Sequence, residues 1–186
     1  MTSRRSLLQY ALATGLTVGW TGAASASIGP PVTLEQLAHA ARRVVRGVAL
    51  QASSRWVEGH RGRRIVTTTR VRIDDRIGGD AASELLVETL GGQVGRTGQV
   101  VHGEALLLIG QPCFLFLTSL SDAVQTVAHF AQGHFPLREA QGALRVQPSP
   151  RVAELTAGRS ALGELRGLDV RQARARILEA WNHARR

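Results

Sequence analysis

The chain has 186 residues, 44% of them apolar but only 4% aromatic, which suits one domain with appendages and a core of Val, Leu, Ile and Ala. Its formal charge is +9 and all 23 basic residues are arginine, which fits either a guanidinium-rich surface for phosphate or carboxylate partners or the codon usage of a GC-rich genome. The single cysteine, Cys113, excludes an intramolecular disulfide and a cysteine-rich structural zinc site; its apolar setting suits a buried thiol, with pairing between chains as the other reading.

Residues 1–26 have the three-part layout of a removable export signal. A short basic region is followed by a moderately apolar stretch, Leu7 to Trp20, and by small residues ending Ala24-Ser25-Ala26. Cleavage after Ala26 is expected, the A-x-A pattern being formed by Ala24 and Ala26. Polar and glycine residues break the apolar stretch, so a permanent membrane span is not expected. Ser3, Arg4, Arg5, Leu7 and Leu8 resemble the twin-arginine signal S-R-R-x-(F/L)-L, although Gln9 stands where lysine is frequent. The implied partner is the twin-arginine export machinery, an ordinary Sec signal being the other reading, and the implied location is periplasmic or secreted. Removal of Arg4 and Arg5 with the signal lowers the charge to +7.

Residues 27–43 read as a stiff Pro-containing leader and a short helix, with Thr33 and Gln36 forming a capping box. Residues 44–52 form a strand candidate in which Gly47 permits a bulge, and residues 58–63 a turn. Residues 65–77 carry the clearest strand signal. Ile65, Thr67, Thr69, Val71, Ile73 and Ile77 share one face, and Arg70, Arg72, Asp74 and Arg76 lie on the other. So long a strand coils around a small barrel more readily than it lies flat. Residues 84–90 form a third strand, and a glycine-rich loop containing Gly92, Gly95 and Gly98 follows. Residues 105–110 lead into a fourth strand at 113–117, and a meander over residues 124–146 completes the domain. The fold expected is therefore mainly β, a small five- to seven-stranded antiparallel barrel over residues 44–147. Residues 148–186 form a helical tail, capped by Asp169 and Gln172, with Val170, Ala173, Ile177, Leu178 and Trp181 on one face. Arg174 projects from that face and needs a carboxylate or a path to solvent.

The order of helix, Val-Val-x-Gly strand, long alternating strand, glycine loop, Phe114-Leu115-Phe116-Leu117 and Ala131-Gln132-Gly133-His134-Phe135 resembles small exported bacterial proteins of unsettled function. Over residues 40–147 their strand pattern looks like the OB-like barrel of netrin-like modules and tissue inhibitors of metalloproteinases. Those inhibitors use an N-terminal cysteine and several disulfides, and this chain has neither. The resemblance therefore implies a fold and carries no inhibitory site across.

Among chemical motifs, Gly92-x-x-Gly95-x-x-Gly98 is neither a dinucleotide fingerprint nor a P-loop, and no cofactor is expected. His129 and His134 lack metal-ligand spacing, and Ser160 misses the nucleophile elbow by one residue. The chain reads as an exported, non-enzymatic binding or interaction module with an unknown envelope or extracellular partner. One alternative is an enzyme, or enzyme accessory, with a pocket formed by His102, Cys113, His129 and His134. Another is electrostatic attachment to anionic polymers through Arg61, Arg63, Arg64, Arg70 and Arg72, the first three and last two forming one cationic surface. Nucleic acid is not expected as a partner, since base-stacking aromatics are scarce. The glycine loop, with Gly92, Gly95 and Gly98, completes the candidate partner surface.

Overall fold

The computed structural model describes residues 30–59, 62–121, 123–150, 152 and 160–186. The export signal with Ser3, Arg4, Arg5, Leu7, Leu8, Ala24 and Ala26 lies outside the described residues, and so does Arg61.

After the short N-terminal helix come two long strands, β1 (Arg43–Val57) and β2 (Arg64–Gly78), paired antiparallel along almost their whole length. The alternation in β2 is realised: Ile65, Thr69, Val71 and Ile77 are buried, and Arg70, Arg72, Asp74 and Arg76 are exposed. The register slips between Arg46 and Gly47. A Cβ on Gly47 would stand 2.4 Å from the Arg72 carbonyl oxygen, so the bulge needs glycine. The bend lets the first half of β1 pair on both edges.

The remaining strands are β3 (Glu84–Leu90), β4 (Gly92–Val94), β5 (Thr97–Gln99), β6 (Pro112–Ser119), β7 (Val124–Val127), β8 (His134–Ala140) and β9 (Ala143–Val146). The main sheet has seven strands in the order β1-β2-β3-β7-β6-β8-β9, and β1 also pairs with β6. The pairings β1–β2, β2–β3, β7–β6 and β6–β1 are antiparallel, whereas β3–β7 is parallel. Followed in turn, they lead from β1 back to β1. The segment read as a glycine loop is a hairpin, β4–β5, turning at Gly95 and Arg96. Residues 105–110 form no regular element: Ala105 and Leu107 are buried in a core cluster, and the strand begins at Pro112.

Alternation along β6 divides the core in two. Cys113, Leu115 and Leu117 pack with Val45, Ala49, Val71, Val87 and Val127. Phe114 and Phe116 pack in a second cluster with the helices α1 (Leu34–Ala40), α2 (Ala161–Leu165) and α3 (Val170–His183). Phe116 and Phe135 meet edge to face at 5.8 Å between centroids. Both capping boxes form, Thr33 with Gln36 and Asp169 with Gln172. Helix α2, capped by the Ser160 hydroxyl, falls within the helical tail read from sequence, although its own cap is not read there. Arg174 meets Asp75 at 2.7 Å. Arg185 donates to the carbonyls of Ala38 and Ala41 at the end of α1, which joins the two terminal helices. Among the described residues no helix is long and apolar enough to cross a membrane.

Candidate functional site

Two open clefts, of about 840 and 820 Å³, share Leu90 and Val101 as walls. The turn between β1 and β2 brings Arg63 and Arg64 to the first cleft, where Ile65, Gln99 and Glu58 also line it. The glycine hairpin is seated against the sheet by close backbone approach. A Cβ on Gly92 would come 2.2 Å from the Thr67 hydroxyl and 2.5 Å from that of Ser54. Gly92 is thus a packing residue, whereas Gly95 occupies the turn with a φ of 59° and open space around it. Gly98 sits in β5 with only the Gly92 carbonyl oxygen near, 4.0 Å from where its Cβ would be.

Side-chain hydrogen bonds to backbone fix the walls. The Ile65 N–H donates to Gln99 Oε1 at 2.6 Å. The buried carboxylate of Glu104 accepts from the Leu90 N–H at 3.1 Å and from the Ala105 N–H at 2.8 Å. These bonds hold the irregular segment after β5 without a strand ladder.

The second cleft is lined by His39, His102, His129, Phe130, Gln132 and the leader residues Pro30 to Val32. Gln132 imitates a backbone partner: its Oε1 accepts from the Val32 N–H at 2.9 Å and its Nε2 donates to the Pro30 carbonyl at 3.2 Å. His129 and Phe130 are consecutive left-handed residues, with φ of 51° and 56°. Such a conformation costs an L-residue about 1–3 kcal/mol and is an outlier for a bulky side chain. Surrounding structure enforces it. The Ala131 N–H donates to the Gly103 carbonyl at 2.9 Å, and at Gly133 a Cβ would stand 2.3 Å from the Ala128 carbonyl oxygen. The result is a 58% exposed phenylalanine on the rim of the second cleft.

Arg64 and Arg70 lie about 20 Å apart along β2 at the usual strand rise. Arg70 is 3.7 Å from Glu84, and Arg72 is 2.9 Å from Asp74, whose hydrogen bond and charge raise the Arg72 pKa. Arg46 also reaches Asp74, at 3.9 Å. Arg63 lies over Trp56 at 4.7 Å and 3.7 Å from Glu58. Arg64 meets no carboxylate among the described residues.

The four groups of the enzymatic alternative are dispersed. Cys113 packs inside the sheet, where burial pushes its thiol up to about 12. His134 is buried against the Ser149 hydroxyl at 3.1 Å, and desolvation lowers its pKa to about 4. Of the four, His102 and His129 line the second cleft. Among the described residues no group of three or more His, Cys, Asp or Glu is placed to hold a metal ion.

Sequence reasoning missed Phe130, Gln132, Gln99 and Glu104 as wall-forming residues. No periodicity marks a side chain that replaces a backbone partner. Comparison with protein-family models and with curated proteins returns no match for this chain.

Proposed function

We propose that this chain is an exported, non-enzymatic binding or protein-interaction module, built on an OB-like barrel, that engages its partner along the two clefts. The observation that carries the reading is Phe130, an exposed aromatic side chain held on two successive left-handed residues at a cleft rim. Strained backbone and an exposed aromatic anchor together are costly for folding and useful for binding. The barrel reading is supported by the strand order β1-β2-β3-β7-β6, by the parallel pairing of β3 with β7 and by the return pairing of β6 with β1. In OB barrels the loop joining the first two strands is a habitual binding element, and here that turn supplies Arg63 and Arg64.

Export rests on the N-terminal signal pattern, with the twin-arginine machinery as the first partner and the periplasm or exterior as destination. N-terminal sequencing of the envelope-fraction protein tests it, a start at Ser27 being expected. The binding reading is tested by co-purifying the C-terminally tagged protein from its native envelope at rising salt. A partner retained at high salt and lost in Phe130→Ser is expected. Retention of material only at low salt would favour attachment to anionic polymers, and equal retention by Phe130→Ser would remove the clefts from the reading.

A further inference from the structure

The two clefts set hydrogen-bond donors beside apolar walls. On the outer sheet and on α3 some arginines are matched by carboxylates, Arg55 with Glu88, Arg70 with Glu84, Arg72 with Asp74, Arg174 with Asp75 and Arg176 with Glu164, while Arg76 and Arg171 meet none among the described residues. Along the clefts the described lining residues include two guanidinium groups and three imidazoles but one carboxylate, Glu58, which faces Arg63. Arg64 and the Gln99 side-chain amide nitrogen have no partner among the described residues, although the Gln99 oxygen is engaged by Ile65. Between these donors the walls are apolar, from Ile65, Leu90 and Val101 to Phe130.

We propose that this groove binds an extended, acidic segment of a partner protein that carries at least one aromatic or aliphatic anchor. The proposal rests on the binding-module reading and names its partner class. Three features favour it. The donors call for acceptors, which carboxylates and peptide carbonyls supply. The apolar walls call for an anchor side chain, which a sulfated or phosphorylated polymer lacks. Each cleft alone stands near the top of the range for small-molecule pockets, about 300–1,000 Å³, and the two adjoin, so their extent suits a length of chain rather than a compact ligand. Charge complementarity sets encounter and register, and the anchor supplies most of the affinity.

The test is selection of a random peptide display library against the full chain, with the doubly substituted Arg64→Glu, Phe130→Ser chain as counter-selection. Thermal melting confirms that the variant is folded. Enriched peptides should combine Asp or Glu with an aromatic or aliphatic residue. A resynthesised peptide should bind about tenfold more weakly to each single variant, the loss expected of an interface anchor. Its binding should survive an excess of dextran sulfate. Enriched peptides that are apolar but acid-free, and still depend on Phe130, would overturn the acidic partner while leaving the binding module standing. Full displacement by dextran sulfate, or affinity untouched by Phe130→Ser, would turn the site into a polyanion surface and overturn the proposal. Failure to enrich any peptide would overturn it as well, and co-purification from the envelope then judges the module separately.

Discussion

Trp181 of α3 covers Gly78 at the end of β2 so closely that a Cβ on that glycine would stand 2.3 Å from the indole ring. Above the same indole lies the Arg185 guanidinium, 3.3 Å from the ring centroid. The C-terminal helix is thereby seated on the sheet at a point where no side chain fits. Gly78→Ala is expected to lower stability by about 1–3 kcal/mol through overpacking. Chemical denaturation checks this, and an unchanged midpoint would mean that α3 is not seated there.

One strand position nearby, Asp75, binds Arg174 of the same helix at 2.7 Å, with side-chain exposures of 22% and 42%. Solvent screens so exposed a pair, and its coupling is expected at about 0.2–1 kcal/mol. A double-mutant cycle with Asp75→Asn and Arg174→Gln reads that number directly. A coupling indistinguishable from zero would assign the docking of α3 to its apolar face alone.

Much of this docking is legible in the sequence, because capping boxes, helical periodicity and an out-of-place arginine are local signals. Thr33 with Gln36 and Asp169 with Gln172 are read from spacing and form as read. The long alternation of β2 is equally plain. The clefts are not, for a physical reason. Their walls depend on Gln99, Glu104 and Gln132 replacing backbone partners across 34, 14 and 100 residues of chain. Such pairings leave no period in the sequence. Nor does composition reveal which arginines are neutralised, since Arg70 finds Glu84 only once β2 and β3 pair.

Buried His134 makes stability depend on pH. Its pKa falls from the ordinary 6.5 to about 4 because burial disfavours the imidazolium. The unfolded chain takes up this proton as the pH drops through 6.5, whereas the folded chain resists until about 4. Stability is therefore whole above 6.5, declines on acidification across that window and levels off below it. At about 1.4 kcal/mol per pKa unit the loss is of order 3 kcal/mol. His134→Gln keeps a polar partner for Ser149 and removes the titration. Denaturation at a series of pH values should give a shallower slope for the variant than for the parent. Parallel curves would place the acid sensitivity on other groups.

Left-handed backbone at His129 and Phe130 predicts a conflict between stability and binding. Glycine adopts positive φ without the Cβ clash that burdens an L-residue. Strain relief outweighs the added freedom of the unfolded chain where the native conformation is left-handed, by about 1 kcal/mol. Both His129→Gly and Phe130→Gly are thus expected to raise the denaturation midpoint. Their effects on function should diverge. Phe130→Gly deletes the exposed ring and should abolish retention of the envelope partner, whereas His129→Gly keeps the ring but loosens the turn that presents it and should weaken retention less. Midpoints and retained partner, measured on the same preparations, check both arms. If Phe130→Gly lowers stability, the ring serves the fold; if it raises stability and the partner still binds, the strain at this turn has another purpose.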